Sequence, residues 1–97
     1  MEPLTDPDVA ARLKTIDPGW RRDGDTLVRD LECANFAAVI ELVNAIAAEA
    51  EAADHHPDLL VHGYKHLRVT LSTHAAGGLT DRDFALAGKV DALAGRP

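Results

Sequence analysis

Two adjacent histidines, His55 and His56, are the residues of this chain whose type and spacing best suit chemistry. Imidazole changes its charge near neutral pH, so it can both donate and accept a proton. Glu51 lies four residues before His55, on the same face of a helix. Pro57 disfavours helical geometry at the preceding residue, so we expect the helix to end at about His56. A third histidine, His74, ends a later strand-like segment.

Other kinds of site have less support in the sequence. The three histidines could serve as zinc ligands, but adjacent histidines point in different directions on most backbones, and HExxH spacing is absent. Cys33 lies in an apolar, strand-like segment, and no GxSxG motif is present. Gly77 and Gly78 do not follow a phosphate-loop pattern. The sequence therefore favours acid–base catalysis by histidine without a metal.

Length and composition indicate a single small domain, which we place over residues 1–97. The net charge is −6 and the basic residues are not clustered, which argues against a nucleic-acid surface. We expect no secretory signal and no membrane span, because no suitable apolar run is present. The single cysteine is typical of a reducing compartment, so we expect the cytoplasm. The Ala-rich core is thin, which favours oligomerisation.

The first half of the chain predicts a helix, a hairpin and a longer helix. Thr5 opens a capping box before apolar residues at helical spacing, and residues 18–19 (Pro-Gly) end this helix. Asp23-Gly24 is a two-residue turn signal within a hairpin over residues 20–31. The second strand of this hairpin begins at residue 26 and ends at about residue 33.

The longer helix is predicted over residues 36–54, with Asn35 as its N-cap. Leu42 lies to the side of the main apolar stripe of this helix, so the helix could contact a second subunit as well as the core. The alternative is a core helix without a partner. The apolar stripe of period 3.6 consists of Phe36, Val39, Ile40, Val43, Ile46, Ala47 and Ala50.

The second half predicts two strands and a last helix. A short strand over residues 59–61 leads to a bend at residues 62–63, and residues 67–73 alternate between apolar and polar. A turn at residues 75–78 precedes a second capping box that starts at Thr80. The order α-β-β-α-β-β-α predicts an α+β fold, with one four-stranded antiparallel sheet and the helices on one face. Helix and strand ends would then gather the histidines at one rim.

Three motifs follow one another along this part of the chain: Glu51-x-x-Asp54-His55-His56-Pro57, Ser72-Thr73-His74 and Gly78-Leu79-Thr80-x-x-Asp83, with Tyr64 between the first two. Together they resemble the signature of the pterin-4a-carbinolamine dehydratase family, also known as the dimerisation cofactor of a homeodomain transcription factor. The resemblance extends from about residue 20 to residue 93. The double histidine and the Ser-Thr-His strand end are far more specific together than separately.

The resemblance implies one four-stranded antiparallel sheet with three helices on one side. It also implies a hydro-lyase that dehydrates 4a-hydroxytetrahydropterin to quinonoid dihydropterin, the step that recycles tetrahydrobiopterin after aromatic amino-acid hydroxylation. No metal and no organic cofactor are implied.

The resemblance assigns catalysis to His55, His56 and His74. We expect His55 and His74 to exchange the acid and base roles, with His56 positioning the pterin. The residues expected to contribute to substrate binding are Glu51, Asp83, Ser72, Thr73 and Trp20.

Two non-catalytic functions are alternatives to the enzyme. One is a protein-binding module that acts as a transcriptional coactivator, and the other is an assembly chaperone for Rubisco. The presence of all three histidines and Asp83 favours the enzyme. We expect a homodimer or homotetramer, no direct nucleic-acid contact and no membrane contact.

Overall fold

The computed structural model describes residues 1–95, which form one antiparallel sheet and three α-helices. The chain order is the predicted one, so the α+β fold is confirmed. The predicted domain also includes residues 96–97, which lie outside the described residues. The elements are α1 (Asp6–Leu13), β1 (Arg21–Asp23), β2 (Thr26–Glu32), α2 (Phe36–Ala53), β3 (Asp58–His62), β4 (His66–Leu71), a 3₁₀ helix (His74–Ala76) and α3 (Asp81–Ala94).

The four strands lie in the order β1-β2-β4-β3, with every neighbouring pair antiparallel. One face carries apolar side chains, since Leu27 lies opposite Leu71 and Leu59 opposite Val69. All three helices share a core with this face, through Val9 of α1, three residues of α2 and four of α3. The other face carries Asp58, Thr70 and their neighbours, and we call it the open face.

The first helix ends earlier than predicted. Its N-cap is confirmed, because the Thr5 side chain accepts a hydrogen bond from the Asp8 backbone N–H. The helix stops at Leu13, where the backbone N–H groups of Lys14 and Thr15 switch to carbonyls only three residues back. These tighter bonds end the helix before the Pro-Gly pair is reached.

The turn of the first hairpin lies one residue later than predicted. Asp23 pairs with Thr26, so the two central residues are Gly24 and Asp25. Gly24 has a positive φ of 59°, which glycine adopts at no steric cost at the first central position. The Thr26 hydroxyl donates to the Asp23 carbonyl at 2.7 Å and supports this register.

The long helix begins as predicted, but its buried face is narrower. Asn35 is the N-cap, and its side chain accepts from the Ala38 backbone N–H at 2.8 Å. Phe36 and Ile40, although part of the predicted stripe, are exposed, because the stripe is wider than the face that contacts the sheet. Leu42, to the side of the predicted stripe, is partly buried and packs against the core, and a subunit contact of α2 stays a prediction. None of the helices within residues 1–95 is long and apolar enough to cross a membrane.

The last two strands and α3 follow the predicted pattern closely. β4 ends at Leu71, and an isolated bridge between Thr73 and Gly78 extends the pairing beyond it. The predicted turn over residues 75–78 is partly a 3₁₀ helix, which starts at His74. The capping box at Thr80 is confirmed in both directions, since its partner Asp83 also bonds back to the Thr80 backbone.

Candidate functional site

The turn after α2 places the two adjacent histidines. Asp54 adopts the left-handed conformation, with φ 49°. The N–H of His55 bonds to the Ala50 carbonyl, and the N–H of Asp54 bonds to the Glu51 carbonyl. This bond pair is a Schellman motif, which usually has glycine at the left-handed position. The motif ends the helix at Ala53. Pro57 alone predicted an end at about His56, three residues later.

Arg82 supports the same turn from the first turn of α3. Its guanidinium donates to the carbonyls of Ala53, at 3.1 Å, and Asp54, at 2.6 Å. These carbonyls belong to the end of α2, where backbone acceptors lack helical partners. The bonds therefore fix the end of α2 against the start of α3.

The two adjacent histidines have opposite environments. His55 is buried, and its Nε2 lies 2.6 Å from an oxygen of Asp83. His56 is exposed, and its Nε2 lies 2.9 Å from an oxygen of Glu51. Consecutive residues of an extended backbone point to opposite sides, which accounts for the divergence.

Asp83 is a fully buried carboxylate that connects three elements. Its Oδ1 faces His55 at the end of α2. Its Oδ2 accepts from the Thr73 hydroxyl at 2.8 Å and from the Thr80 backbone N–H at 2.9 Å. The hydroxyls of Thr73 and Thr80 lie 2.9 Å apart. Asp83, one of the two acidic residues predicted for the site, is thus bonded to protein groups on both oxygens.

A cavity of about 270 Å³ opens beside His56 and His74, and we call it the histidine cavity. Ser72 also lines it, and its hydroxyl donates to the Asp25 carbonyl at 2.9 Å. Thr70 places the cavity on the open face of the sheet. The structure therefore brings two of the three histidines to one cavity.

His55 lines a different concavity, a groove of about 300 Å³ between α2 and α3. The walls of this groove include alanines of both helices together with Arg82 and Lys89. The separation follows from the opposite directions of His55 and His56, since one faces the helix layer and the other the open face.

The other predicted binding residues do not line the histidine cavity. Glu51 contacts it only through His56, and Thr73 points into the core towards Asp83. Trp20 is buried, and its Nε1–H donates to Asp91 at 2.7 Å. Since Asp91 is eight residues beyond Asp83 on α3, this bond lies about 12 Å along the helix from the Asp83 cluster.

Six cavity residues were not among the predicted site residues: Asp25, Thr26, Asp58, Thr70, Gly77 and Gly78. Sequence signals existed for two of them. Thr70 alternates with the apolar residues of β4, so it shares a face with Ser72. Asp58 follows His56 by two residues in an extended segment, which puts both on one side. Asp25 and Thr26 reach the cavity from the turn of the first hairpin. Their position there depends on the pairing of β2 with β4, which the sequence did not specify.

The arrangement suits proton transfer to and from a small polar ligand. His56 and His74 supply groups that donate and accept protons, and Asp25 and Asp58 supply oxygens that accept hydrogen bonds. Within residues 1–95, no cluster of three or more side chains is arranged to hold a metal ion.

Comparison with known proteins gives a consistent family match. Residues 2–93 match the family model described as pterin 4 alpha carbinolamine dehydratase. A protein of Thermomicrobium roseum is 46% identical over 97% of this chain and 99% of its own length. A protein of Nocardia farcinica is 44% identical over 96% of both chains. Both carry the provisional name pterin-4-alpha-carbinolamine dehydratase.

Two solved structures share the fold. One is described as a transcriptional coactivator/pterin dehydratase from Brucella melitensis, with a TM-score of 0.89, 29% identity, and coverage of 96% of this chain and 99% of that chain. The other is described as a pterin dehydratase-like protein identified as a RuBisCO assembly factor in the alpha-carboxysome. Its TM-score is 0.67 at 28% identity, with coverage of 81% of this chain and 93% of that chain.

Proposed function

The chain belongs to the pterin-4a-carbinolamine dehydratase family, and from this premise we propose that it is a hydro-lyase. The proposed reaction converts 4a-hydroxytetrahydropterin to quinonoid dihydropterin and water. The observation that carries the proposal is the shared cavity of His56 and His74. We place the reaction in the recycling of tetrahydrobiopterin in the cytoplasm, without a metal or an organic cofactor.

The chemistry requires one proton donor and one proton acceptor. The bond between C4a and the hydroxyl oxygen breaks, the hydroxyl leaves as water after it is protonated, and a ring nitrogen loses a proton. A histidine on each side of the substrate can perform these transfers, and proton exchange with water then returns both histidines to their starting states. We propose that His56 and His74 form this pair, because both line the histidine cavity.

The division of roles predicted from the sequence is the alternative. In that division His55 and His74 transfer protons, and His56 positions the pterin. The two divisions differ in the expected behaviour of His56 variants. A proton-transfer role predicts a lower kcat, whereas a positioning role predicts a higher KM with kcat largely retained.

Substrate recognition is assigned to the cavity carboxylates. The pyrimidine ring of a pterin presents N–H donors from a ring nitrogen and an exocyclic amine. Asp25 and Asp58 supply acceptor-only groups at the cavity wall, and Ser72 and Thr70 supply hydroxyls. Hydrogen bonds to a charged acceptor are stronger than neutral ones, so we propose that Asp25 and Asp58 contribute more to affinity than the hydroxyls do.

The decisive experiment measures dehydration of freshly generated 4a-hydroxytetrahydropterin by absorbance. The native protein should accelerate the reaction over the spontaneous rate. The His56→Ala and His74→Ala variants should each lose roughly a hundredfold in kcat, the usual contribution of one acid–base group. His62→Ala is the matched control, since His62 is exposed and does not line the cavity. No acceleration by the native protein would refute the proposal.

A protein-binding function is the second candidate. It is favoured by the likeness to a structure described as a RuBisCO assembly factor, and by the exposed apolar residues of α2. A chaperone predicts a stable complex with a large partner in a pull-down, together with no dehydratase activity. A coactivator predicts a complex in which the partner contacts α2.

A further inference from the structure

Each of the two cavity histidines directly follows a buried residue that bonds to Asp83. His55 immediately precedes His56, and Thr73 immediately precedes His74. Both preceding side chains are buried, and both bond to the carboxylate of Asp83, His55 at Oδ1 and Thr73 at Oδ2. One carboxylate thus joins the two backbone segments that carry the cavity histidines.

We propose that Asp83 acts as a clamp that sets the separation of His56 and His74, with His55 and Thr73 as its two arms. In this arrangement His55, Thr73 and Asp83 are positioning residues, and their side chains do not touch the substrate. The catalytic consequence rests on the proposed dehydratase function, whereas the geometric consequence does not.

In each hydrogen bond of the clamp, the donor and the acceptor follow from the chemistry of the two groups. The ionised carboxylate of Asp83 only accepts, so His55 donates from Nε2 and Thr73 donates its hydroxyl proton. Because the Thr73 O–H donates to Asp83, the neighbouring Thr80 hydroxyl must donate to the Thr73 oxygen. The Thr80 backbone N–H fills a second position on Oδ2. Among the described residues, no buried side-chain nitrogen or oxygen lacks a partner.

The backbone on both sides of the clamp is also held. Thr73 exchanges two backbone hydrogen bonds with Gly78, at 3.2 and 3.4 Å, which fixes the base of the loop that carries His74. The Schellman turn and Arg82 fix the segment before His56. The backbone segments that carry the two histidines are therefore joined to each other through the bonds to Asp83.

Conservative and disruptive variants of each arm test the clamp. Thr73→Val replaces the hydroxyl with a methyl group of similar shape, and Thr73→Ser keeps the hydroxyl. His55→Leu removes the donor, and His55→Gln keeps an N–H near the position of Nε2 without a titrating ring. We expect Thr73→Val and His55→Leu to lower kcat about tenfold with KM changed less than about twofold, since a small misplacement of reacting groups is costly. The conservative variants should stay within about threefold of native kcat.

The double variant distinguishes a clamp from independent contributions. Once one arm is broken, the second no longer restrains the separation, so Thr73→Val with His55→Leu should lose no more kcat than the worse single variant. Val90→Ala is the stability control, because Val90 is fully buried in α3, seven residues beyond Asp83, and takes part in none of the clamp hydrogen bonds. It should unfold more easily than the native protein but keep native kcat.

A geometric readout is independent of activity. In a Cys33→Ser background, His56→Cys and His74→Cys are bridged with dithiol-reactive reagents of graded length. The clamp predicts a sharp optimum of spacer length that broadens when Thr73→Val is added. The clamp is overturned if His55→Gln loses as much activity as His55→Leu, if the losses of the two arms multiply, or if the spacer optimum is unchanged. Absence of native dehydratase activity would remove the proposed function and leave this last test intact.

Discussion

Asp58 is a cavity residue whose carboxylate is available to a ligand. It starts β3 opposite Thr70, it is exposed, and no cation pairs with it among residues 1–95. We expect Asp58→Asn to raise KM roughly tenfold with little change in kcat, because a hydrogen bond to a charged group contributes about 1.5–3 kcal/mol. Steady-state kinetics measure both constants. Glu41→Gln, an exposed change on α2, should leave them unaltered, and an unchanged KM in Asp58→Asn would reject this assignment.

We expect Glu51 to contribute less than the substrate-binding role predicted from the sequence. Its carboxylate lies 2.9 Å from His56, but the side chain is 77% exposed, so water and salt screen the pair. We expect Glu51→Ala to change kcat/KM by less than about fivefold, the equivalent of roughly 1 kcal/mol for an exposed pair. The effect should shrink further at high salt. A hundredfold loss that persists in salt would mean that Glu51 contacts the substrate.

The residue types of the site could be predicted from the sequence, but not all of their directions. The sequence placed His56 at a helix end and His74 at a strand end. Such ends gather at one rim of the sheet, which is why the two histidines could be predicted to lie close together. Ser72 and Thr73 were predicted as a pair, yet neighbouring residues of an extended chain face opposite sides, and only Ser72 reaches the cavity. Trp20 depends on a tertiary bond to Asp91 that no local pattern reveals.

At the scale of elements, the two N-caps have similar sequences but make different numbers of hydrogen bonds. Thr5 accepts one exposed bond at 3.3 Å, whereas Thr80 caps α3 and also bonds to Thr73 and Asp83. We expect Thr5→Ala to cost about 0.5 kcal/mol of unfolding free energy and Thr80→Ala about 2 kcal/mol. Urea unfolding measures both. Thr80→Ser should restore most of the loss, and equal costs at the two caps would contradict this account.

The ends of α2 show why element boundaries differ in predictability. Its start follows from Asn35, a side chain with an inherent tendency to cap. Its end is set by Asp54 in a left-handed conformation that glycine usually occupies, and by Arg82 from a distant part of the sequence. Pro57 therefore predicted a longer helix than the structure contains. The order of elements was predictable because each carries its own periodicity.

The open face of the sheet contains an ion pair whose contribution should depend on pH. Hydrogen bonding to the Arg68 guanidinium lowers the pKa of the Asp30 carboxyl below its ordinary value. A carboxyl with a lowered pKa in the folded state stabilises the fold above its unfolded value of about 3.9, and this stabilisation is lost as the pH falls through the folded value.

Asp30→Asn should therefore lower the unfolding free energy at pH 6, and its difference from native should shrink below about pH 4. Urea unfolding over this pH range gives the comparison. The effect is small because both side chains are nearly half exposed. Glu41→Gln, which removes an exposed charge with no ion pair among residues 1–95, should show no such trend. If the difference in unfolding free energy between Asp30→Asn and native grew as the pH fell, the prediction would be wrong.

At the scale of the whole molecule, the histidine cavity and the buried Asp83 cluster lie on opposite sides of the sheet. The histidine cavity lies on its open face, while the helices cover the opposite face and hold Asp83 between α2 and α3. The proposed catalytic groups are thus accessible to a small ligand, and the proposed positioning groups are buried. The apolar residues Phe36 and Ile40 remain uncovered on the outer side of α2.

These uncovered residues support the proposal that the protein is a homodimer or homotetramer with α2 at the contact. Phe36 is 54% exposed and Ile40 36%, and burying such side chains contributes about 1.5–3 kcal/mol each. We expect Phe36→Glu with Ile40→Glu to shift the native oligomer to monomer in light scattering coupled to size exclusion, without loss of the helical circular dichroism signal. Leu60→Glu is the matched control, because Leu60 is equally exposed but lies on β3. Dissociation by Leu60→Glu alone would move the contact from α2 to the edge of the sheet, and a native monomer would refute the contact altogether.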